Sequence, residues 1–181
     1  MNKIITLSGT AGTGKTTLGN QLAAKLGYTF LSIGNYTREM ASRMGLDINE
    51  FQKYALTNPE IDQQIDREFI KVIHLSGNCI VDYRLGFHFC RTGYHVLLKV
   101  SDEEAAKRIQ NRNNSSDGAI ANFEESLSHL RQRNRNMRDR LMSTYGKDFT
   151  DEKNYHLVLD TTESSPEINL QAILEGYTSF V

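Results

Sequence analysis

Short apolar runs alternate along this chain with longer stretches of helical period. Lys3 to Ser8, Lys-Ile-Ile-Thr-Leu-Ser, reads as a buried strand. Leu18, Leu22, Ala23 and Leu26 then recur at helical spacing over Lys15 to Leu26, and Gly27 closes that helix. Tyr28 to Leu31 predicts a second strand. A helical stretch follows over 34–75. Its first helix carries Tyr36, Met40 and Met44 and stops at Gly45. Asp47 with Glu50 is a capping-box pattern, and Asn58-Pro59 opens a third helix bearing Ile61, Ile65, Phe69, Val72 and Ile73.

The alternation then resumes. Asn78 to Asp82 and Tyr94 to Val100 predict the third and fourth strands. Ser101 with Glu104 caps a helix through about Gln110. Asn113 to Gly118 has loop chemistry, and a polar helix runs from about Ala119 to Tyr145. His156 to Asp160 is the fifth strand, and Ser165-Pro166 opens a terminal helix. Strands that are apolar throughout and separated by helices predict a parallel sheet covered on both faces, hence an α/β fold. The excursions at 34–75 and 111–150 exceed what a plain crossover needs. Each is a candidate substrate-handling lobe on a core of 1–33, 76–110 and 151–181.

The turn after the first strand carries the clearest chemistry. Gly9-Thr10-Ala11-Gly12-Thr13-Gly14-Lys15-Thr16 has the spacing Gly-x-x-x-x-Gly-Lys-Thr, between a strand and a helix. The glycines let main-chain N–H groups close around phosphate oxygens, and the helix N-terminus adds positive potential. Lys15 reaches the β- and γ-phosphates, and Thr16 offers a hydroxyl to Mg²⁺. The segment Gly9 to Thr17 is therefore the candidate site for the phosphates of a nucleoside triphosphate, and the fold expected is that of the P-loop NTPases, with five parallel strands. Asp82, at the end of the third strand, is the second candidate Mg²⁺ ligand.

Composition narrows the alternatives. Net charge is −1, from 21 basic and 22 acidic residues, so no global basic field argues for nucleic acid. The two cysteines, Cys79 and Cys90, lack metal-ligand spacing and fit a reducing compartment. No apolar run approaches the length of a membrane span, and the N-terminus does not read as a signal peptide. A cytoplasmic monomer is the expectation.

Arginines point to a second anion. Arg38 lies one helical turn past Gly34, and Arg84 stands two residues beyond Asp82. Together they could grip the phosphate of a monophosphate acceptor. Arg108 and Arg112 share a helix face. Arg131, Arg133, Arg135, Arg138 and Arg140 crowd a later helix, where such density needs an anion or carboxylates among the charges.

These residues resemble a known family, the nucleoside monophosphate kinases, and among them the archaeal-type cytidylate kinases. Ser32 to Arg38 matches a Ser-x-Gly-x-x-x-Arg segment, and Phe51 to Ala55 a Phe-x-x-Tyr-Ala segment. Asn58 to Asp66 matches Asn/Asp-Pro-Glu-Ile-Asp-x-x-Ile-Asp, Asp82 to Leu85 a strand end with Gly-Arg-Leu, and Tyr145 to Asp148 a Tyr-Gly-x-Asp turn. The resemblance covers nearly the whole chain. It implies ATP as donor, CMP or dCMP as acceptor, and a nucleoside-binding lobe at 34–75. It implies Ser32, Gly34, Arg38 and Arg84 at the acceptor, with Asp62, Asp66 and Arg67 facing its base or sugar. It implies a lid at 111–150, hinged near the Asn-Asn-Ser-Ser-Asp-Gly loop, with Arg112, Arg131 and Arg135 beside the transferring phosphoryl group. Tyr83 departs from the pattern, standing where the family usually has glycine. A kinase for another nucleotide or small molecule, and a nucleotide-binding switch associated with RNA, stay open at this point.

Overall fold

The computed structural model describes residues 2–58, 60–114 and 122–181, with the side chains of 49, 52, 56 and 112–114 outside the description. Five strands, β1 (Ile4–Ser8), β2 (Thr29–Ser32), β3 (Cys79–Asp82), β4 (Tyr94–Lys99) and β5 (Leu157–Asp160), form one parallel sheet in the order β2-β3-β1-β4-β5. Each lies within two residues of its expected bounds at either end. The order places β1 at the centre, so the loop that follows it opens at the carboxyl edge of the sheet, between β3 and β4. Crevices at such a reversal of strand order are where α/β sheets hold ligands.

The strand residues divide between two layers, as period-2 side chains must. Ile5, Leu7 and Ile80 pack with Leu18 and Leu22 of α1 (Lys15–Leu26) and with Ile173 and Tyr177 of the terminal helix (Pro166–Phe180). Ile4, Cys79 and Val81 face the other layer, with Phe69, Ile73, Tyr83, Leu85 and Phe149. Both cysteines are buried free thiols, and burial pushes them up to about 11 at Cys79 and about 12 at Cys90.

Three helices fill the excursion after β2: α2 (Ile33–Arg43), α3 (Ile48–Thr57) and α4 (Glu60–Leu75). The Asp47/Glu50 capping box forms in both directions, at 2.9 Å each way. The Asn58-Pro59 start falls partly outside the description; α4 is described from Glu60. A one-turn helix α5 (Gly86–Phe89), which periodicity does not reveal, follows β3. Then come α6 (Asp102–Asn114), α7 (Phe123–Tyr145) and the terminal helix α8 (Pro166–Phe180). Helix α6 continues four residues past its expected end and takes in the first two residues of the supposed hinge loop. Residues 115–118 of that loop, and the expected start of α7, lie outside the described residues. Among the described helices none is long and apolar enough to cross a membrane.

Candidate functional site

The phosphate loop has the conformation its glycines require. Gly9, Gly12 and Gly14 adopt φ of 141°, 85° and 88°. At Gly12 an added Cβ would sit 2.7 Å from the Ala105 side chain, so the loop packs against α6 with no room for more. The loop is bracketed from outside. Arg108 donates to the Gly12 carbonyl at 3.3 Å and to the Thr161 carbonyl at 2.6 Å, and the Thr161 hydroxyl donates to the Thr13 carbonyl at 3.2 Å. Arg108 is thus committed to holding the loop against the β5–α8 turn.

Lys15 is folded over the same loop. Its ammonium donates to the carbonyls of Gly9 at 3.0 Å and Thr10 at 2.6 Å, and to the Thr13 hydroxyl at 3.2 Å. Burial pulls it down to about 8 from 10.5, Asp82 opposes that shift, and Arg84 and Arg133 reinforce it. A phosphate anion among these groups would reverse the balance.

Two cavities meet here. One of 440 Å³ is lined by Ala11, Gly12, Gly14, Lys15, Thr16, Thr17, Ser32 and Asp82. The other, of 460 Å³, is lined by Thr37, Phe51, Ala55, Asp62, Tyr83, Met137 and Arg140. Ile33, Gly34, Arg38, Arg84 and Arg133 line both. Three guanidinium-bearing residues therefore stand at the boundary between a phosphate loop and a second, partly apolar cavity. Thr16 and Asp82 share the first cavity as one hydroxyl and one carboxylate. That suits Mg²⁺, which keeps several waters and takes few protein oxygens alongside substrate phosphates.

Arg84 is fixed by its neighbours. Its carbonyl accepts from the Ser8 hydroxyl at 3.1 Å, and its guanidinium lies 5.8 Å from the centre of the Phe149 ring. Its Nε is shielded from solvent without a hydrogen-bond partner among the described residues. Burial lowers its affinity for the proton, with Asp82 opposing. A half-buried cation with open donor capacity is a receptor for an anion. Ser32 lines the phosphate cavity and also caps α2, accepting from the Asn35 N–H at 3.4 Å. Arg38 is exposed and bonds Asn35.

On α7 the arginines that line the cavities are not the ones singled out from the sequence. Arg131 is turned outward, 3.0 Å from Asp102 and 2.8 Å from Glu103 on α6. Arg135 is exposed and lines neither cavity. Arg112 lies on α6, with its side chain outside the description. Arg133 and Arg140 line the cleft instead. The reason is the helical period: Arg133, Met137, Arg140 and Leu141 recur at 0, 4, 7 and 8 and share a face, whereas Arg131 and Arg135 lie about 160° around the helix from Arg133. The signal was available. Met137, Leu141 and Tyr145 form an apolar stripe that marks the inward face of an otherwise polar helix.

The two acidic residues of α4 also part company. Asp62 lines the second cavity, 3.2 Å from Arg140 Nε; burial raises its carboxyl and Arg140 works against that. Asp66 does not reach that cavity. It lies buried behind Tyr83, accepting a hydrogen bond from the Tyr83 hydroxyl at 2.7 Å and another from Tyr145. Arg67, one residue on, is exposed. Asp66 is thus engaged with two tyrosines and does not line the cavity that Asp62 lines.

A five-stranded parallel sheet with a glycine-rich phosphate loop and an arginine-lined cleft defines an enzyme of the P-loop kinase class. Shikimate kinase from Acinetobacter baumannii, solved in complex with shikimate, shares this fold, with a TM-score of 0.61 at 21% identity over 99% of this chain and 94% of that one. The profile of the cytidylate kinase-like family matches residues 4–163, and the chain belongs to that family. It is 37% identical to a cytidylate kinase of Pyrobaculum neutrophilum over 88% of this chain and 84% of that protein. It is also 46% identical, over 98% of its own length, to an S-adenosylmethionine-dependent nucleotide dehydratase of Lacinutrix mariniflava, but spans only 36% of that relative.

Proposed function

We propose that the protein transfers the γ-phosphoryl group of ATP to CMP or dCMP. The observation that carries this reading is the shared boundary: Arg38, Arg84 and Arg133 line both the phosphate-loop cavity and the cavity beside α3 and α4. In this reading 34–75 is the nucleoside-binding lobe and the arginine face of α7 belongs to the lid. Two anionic nucleotides repel one another, and these cations offset that repulsion.

The chemistry is a displacement at phosphorus. An oxygen of the acceptor phosphate forms the new P–O bond, the bond from the γ-phosphorus to the β–γ bridging oxygen breaks, and ADP leaves with the electron pair. The attacking oxygen is already anionic, so positioning and charge neutralisation matter more than a general base. Gly9 to Thr17 hold the donor phosphates, with Lys15 moving from the loop carbonyls to phosphate oxygens. Thr16 and Asp82 would hold Mg²⁺, which neutralises charge on the β- and γ-oxygens when bound. Arg84 and Arg38 orient the acceptor phosphate, and Arg133 neutralises the group in transit.

The Asp62–Arg140 pair supports cytosine as the base. Cytosine offers an exocyclic amino donor that a carboxylate accepts, while its ring nitrogen and carbonyl accept from a guanidinium. Uracil would set a carbonyl against Asp62. Phe51, Ala55, Met137 and Leu141 supply apolar walls for the ring. The test is turnover with ATP and a panel of CMP, dCMP, UMP and AMP. CMP or dCMP should exceed UMP by at least about a hundredfold in kcat/KM. Equal use of UMP, or turnover of none of the four, contradicts the reading.

The dehydratase relative favours a second reading, in which this kinase segment supplies a phosphorylated nucleotide to a dehydratase. Offering that relative the monophosphate and the phosphorylated product separately decides it. Dehydration of the product alone supports supply, and dehydration of the monophosphate alone contradicts it.

A further inference from the structure

Asp66 is a buried carboxylate that the reaction above does not use. One oxygen, Oδ1, accepts from the Tyr83 hydroxyl at 2.7 Å, and Oδ2 accepts from the Tyr145 hydroxyl. Burial raises its carboxyl, while the two hydroxyl bonds and Arg140 favour the ionised form and Asp62 opposes it. Three separate segments meet at this group: α4 through Asp66, the end of β3 through Tyr83, and the last turn of α7 through Tyr145. A second link joins α4 to α7 one helical turn away, where Asp62 faces Arg140 at 3.2 Å.

The rings fix the hydroxyls. Tyr83 stacks on Phe89 at 5.5 Å and 3° and meets Phe69 edge-on at 5.5 Å. Tyr145 meets Phe89 edge-on at 5.5 Å. Tyr83 itself lines the acceptor cavity beside Arg84. A carboxylate buried among aromatic rings gives little net stability compared with an apolar residue of the same volume. It does impose one geometry, because each oxygen is satisfied by a donor from a different segment. Tyr83 thus contributes both a cavity wall and a donor.

We infer that Asp66 is a positioning residue for phosphoryl transfer. By fastening Tyr83 and Tyr145, it holds the cavity wall and the arginine face of α7 in one register, so that Arg133 and Arg140 project into the cleft. The second half of α7 is then tied to the nucleoside-binding lobe, and the two move together on closure. The kinetic consequences rest on the kinase reading above.

The test is a double-mutant cycle of Asp66→Asn and Tyr145→Phe in the full chain, with Tyr83→Phe as a milder third variant. Asp66→Asn keeps an acceptor oxygen and the volume of the side chain. It should raise the acceptor KM by about tenfold or more and lower kcat, with the ATP KM unchanged within a factor of two. Tyr145→Phe should weaken acceptor use in the wild-type background and have a smaller effect on Asp66→Asn. A lowered Tm with unaltered acceptor KM and kcat, or strictly additive effects, overturns the inference. Hydrogen exchange over 133–145 provides a readout that needs no substrate. If the wild type phosphorylates no monophosphate, the kinase reading fails, and exchange decides the network separately: faster exchange in Asp66→Asn supports it, and unchanged exchange overturns it.

Discussion

Raising the pH from 7 to 9.5 should weaken nucleotide binding through Lys15, and binding should then take up a proton. In the free protein Lys15 lies at about 8, well below 10.5, chiefly because it is buried and because Arg84 and Arg133 add to its cost. Phosphate binding favours the ammonium and moves it back up. At pH 8 about half of the free molecules carry neutral Lys15, and at pH 9 about nine-tenths do. Binding should therefore take up about 0.5 proton at pH 8 and about 0.9 at pH 9. The sign is fixed: the charged form binds phosphate, so affinity is full below about 8 and falls up to tenfold per pH unit until the bound-state value is passed. If that value returns to 10.5, the linkage amounts to about 3 kcal/mol. Calorimetric titration with ATP and Mg²⁺, in paired buffers of different ionisation enthalpy, measures the uptake. Lys15→Arg should abolish it. No uptake between pH 8 and 9, or the same uptake in Lys15→Arg, would mean that Lys15 does not gain its proton on binding.

Other consequences follow from the same cleft. Arg84→Met should raise the acceptor KM about 30-fold or more with ATP affinity nearly unchanged, because it removes a charge-assisted contact worth about 2–3 kcal/mol; an equal loss of ATP binding in a titration would place Arg84 in the donor site. Arg133→Met should lower kcat about a hundredfold while Arg131→Met leaves it within a factor of two, since Arg131 is paired with Asp102 and Glu103 on the outside; the reverse order in steady-state kinetics would contradict the assignment on α7. Gly12→Ala should lower thermal stability by about 1–3 kcal/mol, because its Cβ meets Ala105 at 2.7 Å on a backbone with φ of 85°; an unchanged melting temperature would mean the loop has slack.

The sheet and the phosphate loop were legible because each rests on local chemistry. An apolar run long enough for a strand, then glycines at fixed spacing, then a helical period leave few alternatives at 3–26. The Asp47/Glu50 capping box was equally local, and it forms as expected. The arginine helix was harder to read. Charge density drew attention to Arg131 and Arg135, but the inward face is set by where Met137, Leu141 and Tyr145 find apolar neighbours, and those neighbours come from α4, β3 and α5. Asp66 shows the same limit. Its spacing from Asp62 puts both on one side of α4, yet four residues along the axis is enough for one to reach the cavity and the other to meet two tyrosines far away in sequence. Tyr83 departs from the pattern of the resemblance, and its place is set by its neighbours. Packed between Phe69 and Phe89, it is part of the wall.

In the proposed reaction the cleft joins a donor phosphate loop to a cytidine monophosphate site. Following ³¹P resonances of ATP mixed with CMP, with the protein and Mg²⁺ present, tests it most directly. CDP and ADP signals should grow together in equal amounts, and Arg84→Met should suppress both. Release of inorganic phosphate from ATP at a rate indifferent to CMP would contradict it.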